Sequence, residues 1–328
     1  MKLLIPIVLV LAIVLPVRAA TPHITRVAAV FSGPVNDAGW TASAYNGLVE
    51  LKTKYGFDLA YTENVKPADA EQVFRDYAKA GFDVVLGHGF EWAEAIQKVA
   101  ARYPKVSFIQ TNGGAKDVPN LYTVTFSAGE GGYFIGLAAA QVTRSHKLAY
   151  VAGTSFPILS QQIKMTRQAA KDVGQDVEVL ETYVGSWHGD VAKAKELATA
   201  ALASGVDVLV LEADAADPGT IEAAKEAARA GKYVRVFSWV RDKHALAPEL
   251  VIGGWEERVP VLIDHCLAKI AKGEPGGHFA IGLKEGAVLL NPFYGLVPPE
   301  VEKLVRDKLA AYLADPKTIP TLEVRTDL

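Results

Sequence analysis

The chain reads as an α/β protein built of two doubly wound lobes, and three observations predict it. Its β-branched runs, such as VAAVF at 27–31, DVVLG at 83–87, VSFIQ at 106–110 and DVLVL at 207–211, are apolar almost throughout instead of alternating. Strands covered by helices on both faces have that composition, which argues parallel sheets. Alanine-rich segments of helical period stand between these runs. The pattern then resets: residues 26–127 hold one series, 147–253 a second of similar size, and KAGFDVVLGHG at 79–89 is echoed by ASGVDVLVLEA at 203–213.

Taken in order, strands are expected at Arg26–Phe31, Asp83–Gly87, Val106–Gln110 and Leu121–Thr125 in the first series. Lys147–Ala152, Val177–Glu181, Asp207–Leu211, Val234–Phe237 and Leu250–Gly253 follow in the second. Helices are expected at Glu91–Arg102, Val191–Ser204 and Pro218–Gly231, where Pro218 sits just inside the start and Gly231 just past the end. In both echoed phrases a helix end meets a capping glycine and then a buried strand. A ligand of such a protein lies in the cleft between the lobes, at the carboxyl ends of the strands.

Composition narrows the function. Of 328 residues, 50% are hydrophobic and 22% charged, which excludes a disordered chain and leaves ample material for a core. A net charge of −3 offers no basic surface to nucleic acid or to an anionic membrane. Cys266 is the only cysteine, so an intrachain disulfide, a CxxC pair and a cysteine zinc cluster are excluded. At the start, Lys2 precedes the apolar run Leu3–Val17 and then Val17-Arg18-Ala19. This is the pattern of a secretory signal peptide, residues 1–19, cut near Ala19. The run would span about 22 Å as a helix against a hydrocarbon core of roughly 30 Å, too short for an anchor. With no cysteine near the cut, the exported protein is not expected to be a lipoprotein.

The loops after the strands carry the candidate chemistry. Ser32–Trp40 holds Asn36 and Asp37, which read as helix caps or ligand contacts, and Trp40 beside the strand ends. Gly87-His88-Gly89-Phe90-Glu91-Trp92 begins like a dinucleotide fingerprint, but Trp92 stands where the third glycine belongs. Its glycines suit close approach of backbone to a ligand, with Phe90 as a wall and His88 as a contact or a hydrogen-bonded spacer. In the second series, Val184–Asp190 presents Trp187 and ends on Asp190, a natural N-cap. Glu212-Ala213-Asp214 and Phe237-Ser238-Trp239 close the next two strands. Rings, acids and amides gathered at strand ends suit a flat, hydrogen-bonding heterocycle. Enzyme signatures are missing: there is no GxSxG, P-loop or HExxH, and the seven histidines are scattered without ligand spacing. Asp217, next to Pro218, reads as an N-cap, and Cys266 as a buried small apolar residue.

Five phrases together resemble a known family: NDAGW at 36–40, GHGFEWAEA at 87–95, GEGGYFIGLAAA at 129–140, YVGSWHGDVAKAKELA at 183–198 and GLKEGAVLL at 282–290. The chain is similar to the basic membrane protein family of ABC-importer substrate-binding proteins, also called purine nucleoside receptor-like, over about residues 25–310. The resemblance implies a type I periplasmic binding protein fold. One lobe is then 20–126 plus about 255–283, and the other 127–254 plus about 284–328. It implies that Trp40 and Trp187 sandwich a purine, that Asn36 or Asp37 contacts it, that Lys284 reaches it and that Phe90 lines the cleft. Asp214 joins this set as the acid of its loop. Trp239 stands about where relatives carry a ribose-holding aspartate, which tilts the expected ligand towards a free base such as adenine or guanine over a nucleoside.

The expected protein is a periplasmic monomer that binds a purine base or nucleoside without cofactor or metal and delivers it to an ABC permease of the inner membrane, with no role for nucleic acid. The readings set against it are an exported nucleoside hydrolase and a ligand-binding sensor.

Overall fold

The computed structural model describes residues 23–36, 39–114, 117–187 and 189–320. The expected signal peptide and Asp37 lie outside the described residues. In chain order these form β1 (Arg26–Phe31), α1 (Trp40–Tyr55), β2 (Asp58–Thr62), α2 (Ala70–Lys79), β3 (Val84–His88), α3 (Ala93–Arg102), β4 (Ser107–Thr111) and β5 (Leu121–Phe126). Next come α4 (Ala128–Val142), β6 (Lys147–Ala152), α5 (Pro157–Asp172), β7 (Glu178–Tyr183), α6 (Val191–Ala203), β8 (Val208–Glu212), α7 (Asp217–Arg229), β9 (Arg235–Ser238) and β10 (Val251–Glu257). The chain finishes with α8 (Val259–Ala271), β11 (Gly277–Ile281), β12 (Val288–Leu290) and α9 (Pro299–Ala314).

Two six-stranded sheets result, ordered β11-β5-β4-β3-β1-β2 and β12-β10-β9-β8-β6-β7. Every ladder is parallel except that of β12 on β10. β1, β3, β6 and β8 are buried almost end to end, as expected of strands covered on both faces. The helix boundaries follow local chemistry. Asp190 caps α6 by accepting from Lys193 N at 2.8 Å, Pro218 lies in the first turn of α7, and Gly81, Gly205 and Gly231 take the left-handed backbone (φ 77°, 95° and 81°) just after α2, α6 and α7. Two capping assignments are corrected. Gly39, not Asn36, precedes α1. Asp217 is already helical, and its carboxylate accepts from Ala213 N at 2.9 Å and from Lys243.

The chain crosses between the sheets three times: from β5 into α4, from β10 into α8, and from β11 to β12. α4 packs on α5 and α9, and α8 on α1, β4 and β5. β10 keeps the second sheet going to Glu257, so this crossing comes at Arg258. Glu130 ties the first and third crossings together. Its carboxylate accepts from Leu283 N at 2.8 Å and from the Tyr312 hydroxyl, while Ser127 N donates to Ile281 O at 2.9 Å and Arg258 N to Ala287 O at 2.8 Å.

In both sheets the order reverses beside one strand, between β1 and β3 and between β6 and β8. Loops that leave such a point diverge to opposite faces and leave a crevice at the carboxyl ends. The crevice is therefore framed by the loops after β1, β3, β6 and β8.

Candidate ligand-binding cleft

The loops after β1 and β3 build the first wall. Trp40 opens α1 as a half-buried residue, and its ring stacks on that of His88, 4.3 Å between centroids at 23°. His88, the last residue of β3, is itself held at both nitrogens. Nε2 lies 3.1 Å from Trp40 O, and Nδ1 lies 2.7 Å from the Thr111 hydroxyl. His88 is thus the spacer that orients Trp40. Trp92 is fully buried, its Nε1 donating to His88 O at 3.1 Å, so the residue that spoils the dinucleotide fingerprint is core. Gly89 turns the chain at φ 135° and presents Phe90, which is 50% exposed. From β4, Gln110 donates its amide to the carbonyls of Gly89 and Phe90 at 3.1 and 3.3 Å, which fixes that amide's orientation. Its Oε1, like Asn112 Oδ1, is buried without a hydrogen-bond partner. Asn36 lies on an exposed turn.

The second wall comes from the loops after β6 to β9. The ring of Trp187 lies on Gly153, where a side-chain Cβ would come within 2.4 Å of it. Phe156 meets Trp187 edge-on at 5.3 Å and faces Phe90 across the cleft, 6.5 Å between centroids at only 14°. Trp40 and Phe90 thus stand on one wall, Phe156 and Trp187 on the other. Sequence reasoning missed Phe156, although it held the clue used for Trp40: an aromatic at a strand end, one residue before a helix that opens on Pro157.

Trp239 corrects an expectation. It is fully buried against Trp255 and Tyr150, at 6.1 and 6.5 Å between ring centroids, because it sits where β9 enters the second core. Its Nε1 donates to Glu257 Oε1 at 3.1 Å. It holds a carboxylate in place and offers no open ring. Glu257 and Glu212 are the acids of this end of the lobe. Burial, and then the charge of Asp214, push the Glu257 carboxyl up to about 7. Burial, Glu257, Asp214 and Asp217 in turn raise Glu212 well above the usual carboxylate range. Asp214 is half-buried in the turn after β8, in left-handed backbone at φ 48°. Lys284 lies exposed on the turn between β11 and β12, and Asp242 is exposed and held by Tyr294. Cys266 is buried, and burial pushes its thiol far up.

No helix among the described residues is long and apolar enough to cross a membrane. The cleft is thus framed by two walls of aromatic rings with buried polar atoms behind them.

The family described as ABC transporter substrate-binding protein PnrA-like (Bmp) matches residues 24–321. The chain is 28% identical to the transcriptional activator protein med of Bacillus subtilis, over 88% of this chain and 89% of that one. It is 27% identical to a purine-binding protein of Brucella abortus, over 86% and 79%. Among solved structures, an ABC transporter solute-binding protein of Aeropyrum pernix superposes with a TM-score of 0.72 at 24% identity, covering 90% of this chain and 87% of that one. That likeness shows the fold, the two-lobed one of periplasmic binding proteins.

Proposed function

The chain belongs to the Bmp family of PnrA-like ABC transporter substrate-binding proteins, and on that premise we propose that it closes on a purine-type ligand, a free base or a nucleoside, and passes it to an ABC permease. The family is one of substrate-binding proteins, not of enzymes. The observation that carries the ligand class is the pair of aromatic walls, Trp40 and Phe90 on one and Phe156 and Trp187 on the other, with Phe90 facing Phe156. A flat ring gains stacking on both faces there and is released when the lobes part. The purine-binding relative from Brucella abortus supports the same class. The signal-peptide pattern of residues 1–19 supports a periplasmic location, on the permease's outer side. The buried setting of Trp239 removes the reason to favour base over nucleoside, so both stay within the proposal.

Calorimetry with adenine, guanine, hypoxanthine and their nucleosides tests this reading. Saturable one-to-one binding without turnover is expected. Steady release of free base from a nucleoside would make the protein a hydrolase, and heat from none of these ligands would overturn the purine assignment.

A further inference from the structure

Behind the aromatic walls the second lobe holds polar atoms with no structural task. Glu212 ends β8 at the carboxyl edge of the sheet, its residue 5% exposed, and its Oε2 is buried without a hydrogen-bond partner. Its backbone carbonyl accepts from Gly153 N at 3.0 Å, the glycine on which Trp187 lies. The side chain therefore starts directly behind a cleft ring. The titratable groups that act on it are Glu257 from the end of β10, Asp214 from its own turn, Asp217 from α7, Lys243 from beyond β9 and Tyr150 from β6. The one cation among them is already spent, because Lys243 Nζ bonds to Asp217 and to Trp239 O at 2.8 Å. Arg167, on α5 near Tyr150, is engaged with Glu181 and Val179 O. Among the described residues no three acids or histidines converge as metal ligands would.

Two neighbouring buried carboxyls with no free cation do not both ionise; the more enclosed one keeps its proton. A neutral carboxyl offers one O–H donor beside one C=O acceptor. We infer that Glu212 is the second lobe's polar contact for the ligand and that, as a neutral acid, it reads a heterocycle edge with an amino donor beside an unprotonated ring nitrogen, the edge of adenine. The ring nitrogen accepts the Glu212 O–H and the amino group donates to its C=O, with no net transfer of a proton. Gln110 Oε1 and Asn112 Oδ1 in the first lobe are likewise buried without a hydrogen-bond partner. The raised proton affinity of Glu212 agrees with this geometry.

This inference rests on the purine reading, and the test separates the two. Adenine and cytosine, a non-purine with the same edge, are titrated at pH 6 and pH 9 into the full-length protein and into Glu212→Gln and Glu212→Leu, each checked for an unchanged melt. A glutamine amide also pairs one donor with one acceptor. Glu212→Gln should therefore bind adenine within about threefold of the parent, and Glu212→Leu should lose about tenfold or more, the value of a single unmade buried hydrogen bond. The parent's affinity should fall more steeply with rising pH than that of Glu212→Gln. If glutamine and leucine lose affinity alike, the charge is what binds and the inference falls. If neither substitution matters while adenine binds, Glu212 does not touch ligand, and the inference falls with the purine reading intact. If cytosine alone binds with the predicted pattern, the purine reading falls and the inference stands. If neither ring binds, both fall.

Discussion

Trp40 illustrates how a residue becomes a platform. Its ring has one face on His88 and meets Phe126 edge-on at 6.4 Å, and His88 is locked by the Trp40 carbonyl and Thr111, so the indole is held in a fixed orientation beside the strand ends. Stacking on an aromatic face contributes about 1–3 kcal/mol per base in nucleic-acid binders. Trp40→Ala and Trp187→Ala should each weaken purine binding roughly 5- to 150-fold with the fold intact; calorimetry beside circular dichroism checks this, and normal affinity in either variant would make that ring mere packing. A second prediction concerns Glu257. Its proton is held more tightly folded, where it titrates up to about 7, than unfolded, where an ordinary glutamate lies near 4.5. Between those values the native state binds the extra proton, so stability present at acid pH is lost as pH rises from about 4.5 to about 7. At about 1.4 kcal/mol per unit this is of the order of 2–3 kcal/mol. Urea melts at pH 5 and pH 8 should show the loss, and Glu257→Gln should reduce it, leaving the part that the raised Glu212 carboxyl contributes. Residues of this kind were only half legible. Trp40, Phe90 and Trp187 announced themselves as rings at strand ends, and Glu212 was at least an acid in the right place. Glu257 was invisible, because nothing in VIGGWEE tells that its last carboxylate folds under Trp239.

At the scale of elements, the sequence marked the strands that are buried on both faces and passed over every edge strand but β7. β1 and β6 begin and end where their apolar runs do, and β3, β4, β8 and β9 are displaced by one residue. β2, β11 and β12 went unread. β2 and β12 are edge strands with mixed exposure, and β11, at the other edge of the first sheet, is mostly half-buried. An edge strand needs no unbroken apolar run, so the composition that betrays its neighbours is absent. Helix packing was equally hidden. α4 and α5 touch closely enough that a Cβ on Gly132 would lie 2.1 Å from Gln162 O, and Thr166 donates to Gly132 O at 2.9 Å. Gly132→Ala must push the two helices apart and should cost about 3 kcal/mol, at the upper end of overpacking effects. A thermal melt within a degree of the parent's would show that this contact yields easily. Asp190→Ala removes a single cap and should cost only about 1 kcal/mol.

At the scale of the whole molecule, neither lobe is a continuous piece of chain. The first sheet takes its outer strand from residues 277–281 and a covering helix from 259–271; the second takes its last strand from 288–290. Glu130 fastens the first and third crossings, and the lobes share a hinge made of three segments. A fragment ending at residue 258 is therefore expected to lack a cooperative melt and to be cut rapidly by protease, whereas the full chain should melt as one or two sharp transitions. A cooperative melt of the fragment would show that α8 and β11 are dispensable. This discontinuity also sets a timetable for biosynthesis. While the ribosome is still adding most of the polypeptide, β5 has no outer partner and α1 lies without the helix that covers it. Neither half can close early, and the nascent chain stays pliable until almost its last tenth has emerged. For the export that the proposed periplasmic location requires, that delay is a gain: the polypeptide reaches a narrow channel before it has a finished shape to undo.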